Sequence, residues 1–154
     1  DRQTFLVHRL DRATSGLMMV AHTKRGAREL SELFSQRKIN KTYLAIVEGK
    51  FDHKTLTINE KIDNKHAVSH VELLKAIDNK SLLKINIETG RKHQIRKHLS
   101  EINYPIIGDR LYGDADKNYP EDLQLQAIRL KFNCPISNNE IDIELSDTQK
   151  ISLV

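Results

Sequence analysis

An acid between cations stands near the start of the chain. Asp11 lies between Arg9 and Arg12, and Thr14-Ser15-Gly16 follow it as a turn. Apolar runs on either side, Phe5-Leu6-Val7 and Leu17-Met18-Met19-Val20-Ala21, read as buried strands, which puts Asp11 on a strand-to-strand loop. Rigid scaffolds often present reactive groups on such loops, and a carboxylate held there can attack as a nucleophile or remove a proton. The bland alternative is a surface acid paired with its arginine neighbours, an arrangement worth little energy. A second concentration of charge, Arg91, Lys92, His93, Arg96 and Lys97, falls at the start of a helix expected over 92–102. Cations there oppose the helix macrodipole unless an anion is near, and local conflict of that kind marks a functional site.

Other reactive residue types carry less. The single cysteine, Cys134, excludes an internal disulfide and a multi-cysteine zinc site, and it reads as a small buried residue in a strand. His66 and His70 have metal-ligand spacing on a helix, but the residues around them alternate as a strand, so no metal is expected.

The elements that must position these groups follow from periodicity. Residues 17–22 read as a strand, with Thr23 as N-cap of a helix over 24–36 whose Ala27, Leu30, Leu33 and Phe34 share one face. Residues 42–51 form a strand with Tyr43 at its start. Segments 55–62, 66–76 and 81–88 read as three more strands joined by Asp- and Asn-rich turns, an antiparallel meander. After the helix over 92–102, with Ile95, Leu99 and Ile102 inward, comes a loop at 108–113, then strands at 123–133 and 141–145. The fold class is α+β: a mixed, mainly antiparallel sheet with a few packed helices, in a single domain over residues 1–154.

Size and charge bound the function further. A chain of 154 residues can bury a self-sufficient core. No apolar run approaches a membrane span, the first residues lack the charged-then-apolar layout of a signal peptide, and the cysteine usage fits a reducing compartment, so a cytoplasmic location and no membrane partner are expected. A net charge of +4 makes an anionic partner plausible. A run of cations on or beside the first helix, Lys24, Arg25, Arg28, Arg37, Lys38 and Lys41, would form a phosphate-tracking surface if it converged with those of the two charged segments.

Four strings carry a resemblance to a known family. His8-Arg9-Leu10-Asp11-Arg12-Ala13-Thr14-Ser15-Gly16-Leu17 matches H-R-L-D-x-x-T-S-G-L/V, the signature of the RluA-like RNA pseudouridine synthases. Lys41 to Gly49 resembles that family's K-x-Y-x-A-x-V-x-G, Thr89 to His98 resembles T-G-R-x-H-Q-I-R-x-H, and Tyr104 to Gly113 is similar to its P-I-x-G-D-x-x-Y-G string. One such string is weak; four in order are strong. The chain departs from the family at Leu125-Gln126-Ala127 and Cys134-Pro135, where histidine-containing strings are usual. Family members also carry a segment before this point with a Lys-Pro pair, so the resemblance implies an N-terminally incomplete catalytic domain.

The resemblance implies an enzyme that isomerises a specific uridine of structured ribosomal or transfer RNA to pseudouridine by flipping the base out of its helix; a monomer is expected. Nothing is consumed in that reaction, so no cofactor is required. Asp11 would be the catalytic acid, attacking uracil carbon 6 or the sugar anomeric carbon, or removing a ribose proton. Arg96 would be its guanidinium partner, with Arg91 as the fallback. Tyr43 would stack on the uracil or take the carbon 5 proton. Arg9 would enter the helix where the base has left. Arg12, Arg91, Lys92, His93, Lys97 and Arg110 would contact RNA, and Leu10, Thr14, Gly16 and Leu125 would line the substrate pocket. Two other readings stay open: a noncatalytic RNA-binding fragment of such an enzyme, and a glycosidase, which needs a second acid beside Asp11. Asp109 is the nearest candidate for that acid, but Gly108-Asp109-Arg110 reads as a loop-ordering salt bridge.

Overall fold

The computed structural model describes residues 2–154, in the order β1 (Phe5–Leu6), β2 (Ser15–Gly16), β3 (Val20–Ala21), α1 (Lys24–Ser35), β4 (Asn40–Glu48), β5 (Thr55–Ile58), β6 (Ser69–Ile77), β7 (Lys80–Ile87), α2 (Gln94–Glu101), β8 (Leu125–Asn133) and β9 (Glu140–Glu144). The main sheet has the order β2-β8-β4-β7-β6-β5, and β9 pairs with β8 on the edge that β2 also uses. Among the described residues, only the β2–β8 pairing is parallel. β1 and β3 pair separately, antiparallel. The expected mixed, mainly antiparallel sheet with a few packed helices is therefore the architecture found, with two helices among the described residues.

β4 is the central strand. Its apolar run Leu44-Ala45-Ile46-Val47 is buried throughout, because alternate side chains serve different clusters. Ala45 and Val47 join Val71, Leu83, Ile85, Ile95 and Leu99 in the largest core cluster, while Ile46 packs with Ile107, Tyr119 and Leu153. α1 lays Leu30, Leu33 and Phe34 against Ile39, Leu130 and Phe132. Thr23 caps it as expected, accepting from the Gly26 amide at 2.9 Å. The β6–β7 turn places Asp78 and Asn79 in the left-handed region, which these two residue types tolerate better than most.

Several expected boundaries shift, each for a tertiary reason. The strand expected over 17–22 shrinks to Val20–Ala21 and pairs with β1, whereas Ser15–Gly16, read as a turn, runs as β2 beside β8. Gly16 permits that contact: at φ 108, a Cβ on it would lie 2.1 Å from the Ala127 carbonyl oxygen. The strand expected over 55–62 ends at Ile58, and the chain turns through left-handed Asp63 and Asn64 before β6 starts at Ser69. Cys134 lies just past β8 and packs at the edge of the α1 cluster. α2 begins at Gln94, so Lys92 and His93 precede the helix instead of crowding its first turns.

Candidate active site

Three segments converge at one end of β4: the loop after β1, the turn after β7 leading into α2, and the first residue of β8. A cleft of about 200 Å³ lies between them. Arg9, Leu10, Asp11 and Thr14 line it from the first segment, Arg91, Lys92 and His93 from the second, with Tyr43 and Leu125 from the sheet. Nine residues singled out from sequence thus share one cavity. The β4–β8 register shifts between Thr42 and Tyr43, an irregularity of the kind that re-aims a side chain next to a site.

The wall carrying His93 is fixed by Gln94. Its Oε1 accepts from the Thr89 hydroxyl (2.6 Å) and the Arg91 amide (3.1 Å), and its Nε2 donates to the Val68 carbonyl and the Ser69 hydroxyl, both at 3.0 Å. A buried amide satisfied this completely holds the 89–91 turn in one conformation. On the same helix, His98 is clamped between the Ser69 hydroxyl and the Glu60 carbonyl. His93 itself is left-handed (φ 56), with Nδ1 2.7 Å from the Tyr112 hydroxyl and Nε2 3.8 Å from Asp11 Oδ1.

Arg96 is placed differently from the expectation that it pairs first with Asp11. Its Nε and Nη2 donate to the two oxygens of Asp109 at 2.9 and 2.7 Å, while Nη1 stands 3.9 Å from Asp11 Oδ2. The guanidinium is buried and forms no part of the cleft lining. Geometry explains the preference, since a planar fork matches a carboxylate that can accept two parallel bonds. Asp109 Oδ1 also accepts from the amides of Leu111 and Tyr112, each at 3.0 Å. Asp109 is thus the loop-ordering acid its motif suggested, with Arg96 as the partner. Fully engaged there and 2% exposed, it is not available as the second acid of a glycosidase.

Asp11 is left with a distinct environment. It pairs with neither sequence neighbour, Arg9 nor Arg12; the groups near it are the His93 imidazole and the Arg96 guanidinium, both at the outer limit of contact. Its side chain is 28% exposed, open to the cleft. Tyr43 nearby is pushed up to about 12, by burial first and then by the Asp11 charge, so it is a neutral phenol at ordinary pH. The Thr14 hydroxyl is buried without a hydrogen-bond partner among the described residues.

The remaining expected residues fall outside the cleft lining. Arg12 and Arg110 are exposed on loops. Lys97 is engaged with Asp63 (3.7 Å) and lies 5.9 Å from the Tyr112 ring centroid. Gly16 supports the site through β8. Sequence reasoning missed His8, Lys41 as a cleft residue, and Tyr112. His8 stacks on Phe34 with centroids 4.4 Å apart and accepts a hydrogen bond from the Met19 amide at 2.8 Å. The signal for Lys41 and Tyr112 was present, since both belong to strings already recognised.

Known proteins resemble the chain along most of its length. The sequence model of a family described as RNA pseudouridylate synthase matches residues 1–101. Ribosomal large subunit pseudouridine synthase D of Zymomonas mobilis is 32% identical, over 97% of this chain and 54% of that protein. tRNA pseudouridine synthase C of Yersinia pestis is 34% identical, over 92% of this chain and 68% of its own length. The chain therefore spans about half of the first relative and about two thirds of the second. Among solved structures, human RNA pseudouridylate synthase domain containing 1 superposes with a TM-score of 0.83 at 26% identity, covering 94% of this chain and 69% of that one.

Proposed function

This chain belongs to the RluA-like family of RNA pseudouridine synthases, and from that membership we propose that it converts a uridine of ribosomal or transfer RNA to pseudouridine at the cleft around Asp11. The observation that carries the reading is the Asp11 carboxylate itself: open to the cleft, with no cation among the described residues close enough to occupy it, in a cleft it shares with the half-buried Tyr43 ring. In the reaction the bond from uracil N1 to the ribose C1′ breaks, a bond from C5 to C1′ forms, C5 loses a proton and N1 gains one. Asp11 acts on carbon 6 of the base, on C1′, or on a ribose proton. Arg96 supplies positive charge beside it without consuming its oxygens, and the His93 ring stands 3.8 Å from it.

Tyr43 presents a ring on which uracil can stack, worth on the order of 1–3 kcal/mol per base, and Leu125 offers an apolar surface next to it. As a neutral phenol Tyr43 is suited to donate a hydrogen bond; taking the carbon 5 proton would require it to pass its own proton on. Arg9, Arg91 and Lys92 line the cleft where phosphates of an extruded nucleotide would pass.

The test is Asp11→Asn. Turnover on ribosomal and transfer RNA transcripts, read by mass spectrometry after derivatising pseudouridine, should vanish, while RNA affinity stays within about twofold, since a neutral amide removes no phosphate contact. A large loss of affinity would make Asp11 structural. RNA binding by the unaltered chain without product would assign it to the noncatalytic alternative, and release of free uracil would revive the glycosidase.

A further inference from the structure

A second cleft, of about 480 Å³, opens from the first and shares Arg9, Lys41, Tyr43, Gly90 and Arg91 with it. Its far wall is the C-terminal part of α1, with Ser31 and Phe34, and the His8 ring stacked on Phe34. It is more than twice the volume of the cleft at Asp11.

Lys41 stands where the two cavities meet. Its Nζ lies 5.8 Å from the Phe34 ring centroid, and it would be 3.1 Å from a Cβ placed on Gly90. Burial pushes its ammonium down, and among the described residues no carboxylate pulls the other way. The acid on this cleft, Glu88, faces His70 at 3.4 Å. A half-buried ammonium without a counter-charge is unfavourable unless an anion joins it. Flat aromatic faces beside such a cation are what a nucleobase and its phosphate require together.

We propose that the second cleft seats the nucleotide next to the target uridine, its phosphate held by Lys41 and Arg91 and its base against the His8–Phe34 stack. The assignment rests on the first cleft holding the uridine. An RNA strand whose base enters that cleft must continue across one of its flanks, and this flank carries both the unmatched charge and the continuous opening. Lys41 then anchors phosphate, and the identity of the base admitted beside Phe34 contributes to which uridine is chosen.

The probe is a fluorescein-labelled ten-nucleotide oligouridylate, its Kd read by anisotropy across a salt series. Lys41→Gln should raise Kd several-fold and reduce the slope of log K against log salt by about 0.7, the loss of one phosphate contact on a single strand. Lys41→Arg should restore the slope. Ser31→Trp, which fills the second cleft from α1 without touching Asp11, should also raise Kd, and urea midpoints for all variants report folding separately. An unaltered slope in folded Lys41→Gln, an unaltered Kd in Ser31→Trp, or no binding of oligouridylate by the unaltered chain would each overturn the proposal. Pseudouridine formation is followed in parallel on ribosomal and transfer RNA transcripts. A chain that makes none yet loses slope in Lys41→Gln keeps the second cleft and loses the proposed reaction; turnover with an unaltered slope does the reverse.

Discussion

Arg96 serves two carboxylates unequally, and that inequality decides what each acid does. Asp109 takes both direct bonds and gives up its accessibility; Asp11 receives the same charge from 3.9 Å and keeps its oxygens free. Asp109→Asn retains the shape but strands a buried guanidinium, and breaking such a pair typically destabilises by about 3–5 kcal/mol. Urea denaturation should show a loss in that range, with turnover falling in the fraction that remains folded because Arg96 is freed to swing onto Asp11. Burial alone would push Asp109 up, but the bonds from Arg96, Tyr112 and Leu111 hold it below the usual carboxylate value. A carboxylate depressed on folding stabilises above its unfolded value near 3.8 and loses that contribution as pH falls through the folded one. The pair was half legible in sequence. The Gly-Asp-Arg string pointed to a salt bridge, but which arginine filled it depends on where α2 begins, and that is set by contacts outside the helix.

At the level of elements, α2 is positioned by polar clamps at one end and apolar packing along its length. Ile95 and Leu99 at helical spacing made the helix readable, and the same holds for α1 through Leu30, Leu33 and Phe34. The start of α2 was not readable, because left-handed His93 is held by Tyr112 and no local capping signal records that. β2 escaped notice for the same reason: two residues become a strand only because β8 lies beside them. That contact is testable at Gly16, whose φ of 108 and approach to Ala127 leave no space for a methyl group. Gly16→Ala should destabilise by at least about 1–3 kcal/mol from backbone strain alone. Since β2 follows the Asp11 loop directly, turnover should fall more than the thermal midpoint implies, while far-ultraviolet circular dichroism retains the sheet. An alanine variant with normal midpoint and normal turnover would mean the loop is anchored elsewhere.

Across the whole molecule, the segment bearing Asp11 is attached more lightly than the sheet it faces. β1 and β3 form their own two-stranded sheet, and the links to the rest include the short β2–β8 pairing, the His8–Phe34 stack and the packing of α1. His8 makes this attachment dependent on pH. Burial, and then the charge of Lys41, push it down from 6.5 to about 4. A histidine that binds its proton less readily when folded favours the folded state above pH 6.5 and loses that advantage progressively as pH falls towards 4. Protonation also removes the acceptor for the Met19 amide. The urea midpoint should therefore decline between pH 6.5 and 4, before Asp109 titrates, and hydrogen exchange at Met19 should accelerate over the same interval ahead of amides in β4 and β7. In His8→Gln, which retains a side-chain acceptor but does not titrate, the decline over that interval should be largely absent. If it persists undiminished, another group holds the Asp11 segment in place and His8 is only a packing residue.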